Sequence, residues 1–329
     1  MNFYVFLIRI TQFHQNPEGK LKIMSKTLPF LLIAFWFAGP LESSSQMDPC
    51  AEWQSRYDSL RSTEDDEATL NAVLELSDCL LQAEGDSSLR YAVSLRWVGN
   101  GFYYLGQVKE AISFYQKSLE VLSSQGRASH LDYAHSLNNL AINYSDQGDF
   151  AKAEEYFLRA LEIKSSVLGE SHPEFARGLN ALAMNYSDQG DYAKAEEYYL
   201  RALEIRRTVL GESHPDFASS LNNFANNYRA QGDYAKAEEY YLRALEIRRT
   251  VLGESHPDFA NSLNNLAVNS SAQGDYAKAA EYYFRFMETC RSVLGDSNPT
   301  VASILNNLAI NYNIQGDYAN AEEYFLRAL

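Results

Sequence analysis

Histidine, cysteine and paired carboxylates are the raw material of metal and catalytic sites, and here their spacing argues against both. His130, His172, His214 and His256 recur at a step of 42 residues, and Asn298 takes the next place. Zinc gathers its nitrogen ligands within ~2.1 Å. A step of that length puts each histidine in its own loop instead. Beside Pro173, Pro215 and Pro257, the last three read as a polar residue ahead of a helix-starting proline. Glu155 and Arg159, Glu197 and Arg201, and Glu239 and Arg243 are acid-before-base pairs at i, i+4. Such pairs stabilise a solvated helix face by ~0.2–0.5 kcal/mol each and are not catalytic dyads. The sequence has no glycine-rich phosphate loop, no His-Glu-x-x-His and no Gly-x-Ser-x-Gly. The expectation is a chain with no enzymatic activity, no cofactor and no metal.

Cysteines occur at 50, 79 and 290, without metal-ligand spacing. Cys50 and Cys79 flank the first helical turn. In an exported chain they can pair as a disulfide; two partly buried thiols are the other reading. Cys290 replaces Arg248 of the preceding copy, at a position that reads as outward, and is given no role.

The elements that would position these residues follow from charge, length and periodicity. The 329 residues carry 43 acids and 28 bases, a net charge of −15, which repels nucleic-acid backbones and anionic membranes. Residues 47–90 are the most acidic block, with eleven acids and three bases. It reads as a solvated helical cap or as an acidic docking surface.

Met24-Ser25-Lys26-Thr27 precedes an apolar run, Leu28 to Ala38, and Ser43-x-Ser45 follows. The run is shorter than the ~20 residues that a membrane span needs. It reads as a signal peptide over 24–45, with 1–23 an extension ahead of the natural start. The mature chain would then be exported, periplasmic or secreted, and not membrane-inserted. A buried N-terminal helix in a cytoplasmic chain is the alternative.

Self-similarity dominates the rest. A Gly-Asp-aromatic tripeptide recurs at Gly148, Gly190, Gly232, Gly274 and Gly316, again at a step of 42, with a divergent copy at Gly106. Residues 190–218 and 232–260 are identical. Within a unit, Ala134, Leu137, Leu140, Ala141 and Tyr144 form one apolar stripe, and Ala153, Phe157, Ala160 and Leu161 form a second. Gly148 separates them, at a place where a left-handed residue ends a helix. No pair can bury its own stripe, so stacking must do it. Gly99 and Ser118, in place of the later alanines, predict a looser first copy. The chain is therefore expected to be all-α, a right-handed α-solenoid of stacked helix–turn–helix units, with an acidic helical cap over 46–87 and about six units over 88–329. The last second helix stops at Ala328-Leu329, short of the full pattern, which predicts either a longer protein or end-to-end self-association.

The order Leu137, Leu140, Ala141, Tyr144, Gly148, Ala153, Phe157, Ala160 resembles the tetratricopeptide repeat. The Leu-Gly-Glu-Ser-His-Pro-Asp-Phe-Ala and Leu-Asn-Asn-Leu-Ala blocks make it similar to the 42-residue kinesin light chain type, in the manner of exported bacterial arrays. The resemblance implies that first helices line a concave groove and that Asn138, Asn180, Asn222, Asn264 and Asn306 face it, where amides pair with the backbone of an extended peptide. A ladder of tolerated solvent-facing amides is the other reading. Arg177, Met184, Asn226 and Arg229 fall on neighbouring turns. That wall reads as amide-rich with two arginines, lacking a cluster of bases for a carboxylate or phosphate, so the expected guest is uncharged or mildly acidic. A second series, Asn143, Asn185, Asn227, Asn269 and Asn311, is expected to bond within the repeat junction. The function implied is a protein-interaction scaffold whose partner is a protein or peptide. The alternative is the sensing part of a longer protein with a caspase-like (CHAT) peptidase.

Overall fold

A histidine opens the first helix of most repeats. The imidazole Nδ1 of His172 accepts from the Glu174 amide at 3.1 Å, and His214 and His256 do the same for Asp216 and Asp258. Asn298 caps the Thr300 amide at 2.8 Å. Proline follows each of these caps, where its missing N–H is an orphan donor in any case. From Asp149 onward the second helix of a repeat opens on an aspartate, as when Asp191 accepts from Lys194 N, whereas Gln107 takes that place in the first copy without a capping bond. Gly148 and Gly169, at φ +79° and +83°, end the two helices of one repeat in a conformation that side-chain-bearing residues rarely adopt.

The computed structural model describes residues 48–61, 65–295 and 298–328. The expected signal segment 24–45 and the extension 1–23 lie outside them. The described helices all belong to the unit Asp48–Leu329. They run α1 (Ala51–Leu60), α2 (Asp66–Glu84), α3 (Leu89–Tyr104), α4 (Val108–Ser124), α5 (Leu131–Asp146), α6 (Phe150–Leu168), α7 (Pro173–Asp188) and α8 (Tyr192–Leu210). They continue with α9 (Pro215–Ala230), α10 (Tyr234–Leu252), α11 (Pro257–Gln273), α12 (Tyr276–Leu294), α13 (Pro299–Ile314) and α14 (Tyr318–Ala328). No strand occurs among the described residues, and no helix there is long and apolar enough to cross a membrane. Each helix packs on the next, giving the right-handed α-solenoid. The odd-numbered helices α3, α5, α7 and α9 also touch in succession and form an inner wall.

Small residues set the spacing. Ala141, Ala153 and Ala160 are buried, and Phe157 fills the space beside them. Tyrosines then rivet four of the pairs: Tyr144 stacks on Tyr156, Tyr186 on Tyr198, Tyr228 on Tyr240 and Tyr312 on Tyr324, with centroids 5.5–5.7 Å apart. A stack of this kind contributes ~0.5–1.5 kcal/mol beyond area burial. Four of the five asparagines in the second series bond across the junction as expected, while Asn143 donates to Asn139 O within its own helix. Asn185, Asn227, Asn269 and Asn311 each donate to the carbonyl of the residue 35 places earlier, at the start of the preceding second helix.

At the N-terminal end, a disulfide joins Cys50, ahead of α1, to Cys79 in α2. Tyr57 of α1 stacks on Trp97 of α3 at 5.0 Å, and Arg90 bridges Asp48 and Glu84. The acidic block is thus bonded into the array.

Three expectations are corrected. The first copy is not loose: a Cβ on Gly99 would lie 2.6 Å from the Tyr115 ring, and Ser118 is buried, bonding Ala92 O at 2.7 Å and Ser136 Oγ at 3.0 Å. Tyrosine fills the space that an alanine methyl takes in later copies. Cys290 is buried rather than outward. Arg201 and Arg243 bypass the acids one turn away and bond Glu170 and Glu212 at 2.7 Å. Each guanidinium lies 5.2 Å over a phenylalanine ring, Phe175 or Phe217, and that stacking carries it toward the loop carboxylate.

Candidate binding groove

The inner wall encloses a cavity of about 640 Å³, lined from α3 to α9. First helices supply Arg96 and Asn100, then His135, Asn138, Asn139 and Ile142, then Arg177, Asn180 and Met184, then Asp216, Ser219 and Asn223. Two more lining residues, Lys164 of α6 and Arg206 of α8, reach in from second helices. A smaller hollow of 310 Å³ between α13 and α14 is lined mainly by Tyr318, Phe325 and Leu326 and lacks such a convergence of polar groups.

Among the residues anticipated for the groove, Asn138, Asn180, Arg177 and Met184 meet at this cavity. Met184 and Arg177 are exposed and Asn138 is half-buried. Asn180 is buried and donates to Ser220 Oγ at 2.8 Å, while its own Oδ1 has no hydrogen-bond partner. The rest of the ladder does not line the cavity. Asn222 accepts from Asn265 Nδ2 at 2.8 Å, Asn264 is half-buried and Asn306 is exposed. Asn226 accepts from the Tyr241 hydroxyl, and Arg229 lies beside that phenol.

The wall does hold a cluster of bases, contrary to the sequence reading. Arg96 pairs with Asp132 at 3.4 Å. Arg177 pairs with Glu174, which also faces His135 Nε2 at 3.5 Å. Hydrogen bonding from His135, then the Arg177 and Lys164 charges, hold the Glu174 carboxyl at about 2 against the opposing effect of burial. Lys164 and Arg206 differ: among the described residues, neither has a carboxylate in ion-pair contact. Arg206 Nη1 donates to Asp216 O at 2.7 Å and Ser220 Oγ at 2.6 Å, and its Nε has no hydrogen-bond partner. Burial lowers the pKa of Arg206 and pulls Lys164 down to about 8, with Arg177 adding to both effects.

Reading second helices as the back of the array missed these two residues. The signal was present: Phe157, Ala160, Leu161 and Lys164 fall at i, i+3, i+4 and i+7, so the lysine continues an apolar stripe. Arg206 and Arg248 repeat that register, and Arg248 Nη1 bonds Ser262 Oγ at 2.7 Å.

A family model described as tetratricopeptide repeat matches residues 90–166, 174–250, 216–285 and 258–329, and a second of that description matches 138–209. No curated protein matches the chain. Among solved structures, BtubC (BKLC) from P. vanneervenii is 26% identical, with a TM-score of 0.57, over 67% of this chain and 89% of that one. A kinesin light chain of nearly identical repeats from Podosopora anserina is 24% identical, with a TM-score of 0.51, over 64% of this chain and 99% of that one. A Rap protein complexed with competence and sporulation factor is 17% identical, with a TM-score of 0.60, over 88% of this chain and 87% of that one. The last two show the fold alone.

Proposed function

We propose that this chain, which belongs to the tetratricopeptide repeat family, is a protein-interaction scaffold that holds an extended peptide segment in its concave groove. The observation that carries the reading is the 640 Å³ cavity running across four successive first helices, each of which supplies at least one amide to it. Amides both donate and accept, so a row of them suits a peptide backbone in either direction. Exposed Met184 and half-buried Ile142 add apolar footing for side chains. The Rap protein was solved with a bound factor, which supports a guest of this kind by analogy of fold.

Export is part of the proposal. A disulfide between Cys50 and Cys79 suits an oxidising compartment, and the basic-then-apolar segment after Met24 suits a signal peptide.

The test is selection of dodecapeptides from a random display library on the protein, followed by affinity measurement against Asn138→Ala, Asn180→Ala and Asn223→Ala combined, three amides that line the cavity. A loss of about tenfold or more for the selected peptides is expected. Peptides that bind the triple variant as tightly as the wild type overturn the groove reading.

A further inference from the structure

Lys164 stands where the repeat scheme has lost its acceptor. In the next two units a base from the second helix meets a serine hydroxyl on the following first helix: Arg206 bonds Ser220 at 2.6 Å and Arg248 bonds Ser262 at 2.7 Å. The equivalent partner of Lys164 is Gly178, which has no side chain to offer. A Cβ built there would lie 3.6 Å from Lys164 Nζ, so the ammonium lies against the place that the hydroxyl would occupy. Lys164 is only 1% exposed, yet it lines the groove cavity and has no hydrogen-bonding side chain or carboxylate in contact among the described residues. Burying an ammonium without an acceptor is costly, and natural interiors avoid it unless something completes the pair.

The neighbouring charges say what completes it. Glu174 is already engaged by Arg177 and His135, and Asp132 by Arg96. Arg206 still carries an Nε without a partner. Within a chain of net charge −15, this stretch of wall therefore presents two cations that touch no carboxylate among the described residues, Glu174 acting on both and Asp216 on Arg206 only at longer range. We infer that the groove contains an anion subsite at Lys164, opened by the glycine at 178, that takes a single carboxylate of the bound peptide. The inference rests on the groove reading and adds a charge requirement to it. One carboxylate suits the site, because Arg206 has spent donors on Asp216 O and Ser220 and Glu174 opposes a second negative charge.

The carboxylate can come from a side chain or from a chain terminus, and three probes separate the sources. They are acetyl-Ala-Asn-Glu-Asn-Ala-amide, its glutamine counterpart, and the glutamine peptide with a free C-terminal carboxylate. Binding is measured by calorimetry on the wild type, Lys164→Met and Gly178→Ser. We expect one of the two charged probes to bind about tenfold more tightly than the neutral one. That preference should vanish in Lys164→Met. It should weaken in Gly178→Ser, where the new hydroxyl accepts from Nζ once the Leu161 methyl, 2.8 Å from the added Cβ, moves aside. Circular dichroism of both variants checks that the array is intact. Equal affinity for charged and neutral probes, or a preference that survives Lys164→Met, overturns the subsite and leaves the groove standing. No binding of any probe at millimolar concentration overturns both.

Discussion

Lys278 donates to Glu238 at the point where earlier repeats place a tyrosine hydroxyl. Tyr186 bonds Glu154 at 2.6 Å and Tyr228 bonds Glu196 at 3.0 Å, but the next residue in that series is Ser270. Lys194 and Lys236 lie over the tyrosine rings, so Lys278, lacking a ring to cover, reaches the vacant carboxylate. The Ser270 hydroxyl is left buried without a partner. Ser270→Tyr should restore the stack with Tyr282 and raise the stability of this repeat by ~0.5–1.5 kcal/mol. Thermal unfolding followed by circular dichroism checks it; a lowered melting temperature would show that the fifth repeat has repacked around the serine.

The histidine caps make a prediction with a built-in control. His214 accepts from the Asp216 amide at 3.1 Å, and Asn298 does the same work with a shorter side chain. His214→Ala should cost ~0.5–2 kcal/mol, and His214→Asn should cost little. Urea unfolding of both variants is the measurement. Equal losses would mean that the imidazole is held for its packing and not for its acceptor nitrogen.

Lys164 predicts a dependence on pH. Its folded-state value is pulled down to about 8 by burial and by Arg177. The unfolded chain holds that proton up to ~10.4, so between the two values it binds more protons than the folded one, and stability rises with pH. Below about 8 the whole cost of the buried charge is present. Lys164→Met should therefore stabilise the array near pH 7 by roughly 1–3 kcal/mol, with the advantage shrinking near pH 9.5. Urea titrations at both values decide it, and an advantage independent of pH would refute the assignment.

Removing the disulfide should act locally. Cys50→Ser with Cys79→Ser takes away the covalent tie between the start of α1 and α2, a cross-link of the kind that contributes ~2–4 kcal/mol. Amide exchange should quicken over 51–60 and stay unchanged over 234–252, because stacked repeats feel only their neighbours. Faster exchange throughout would contradict a nearest-neighbour array.

Much of this architecture was legible in the residues. Glycine, histidine and alanine recur at one step because each answers a local backbone or packing demand, and such demands can be read without coordinates. The junction asparagines were legible for the same reason. The site was harder. Asn138 and Asn180 were placed on the wall by family resemblance, and the structure sets them at one cavity while leaving Asn222, Asn264 and Asn306 elsewhere. Lys164 and Arg206 escaped because a base on a second helix reads as solvated. Only the approach of that helix to the glycine or serine of the next shows it to be interior. The Gly99–Tyr115 contact escaped likewise, since a missing methyl reads as looseness until the ring that fills it is seen.

Among the described residues, the hydrogen bonds farthest apart in sequence join positions 43 residues apart, such as Asn265 to Asn222 and Tyr103 to Asp146. None of these bonds between described residues ties one end of the array to the other, so under tension the repeats should peel away one by one, and at rest the coil should breathe like a spring. A guest lying from Arg96 to Asn223 would be the first strut across those turns. Its arrival would register as stiffening of the turns it spans, including backbone it does not touch, while the turns from α12 to α14 stay as compliant as before.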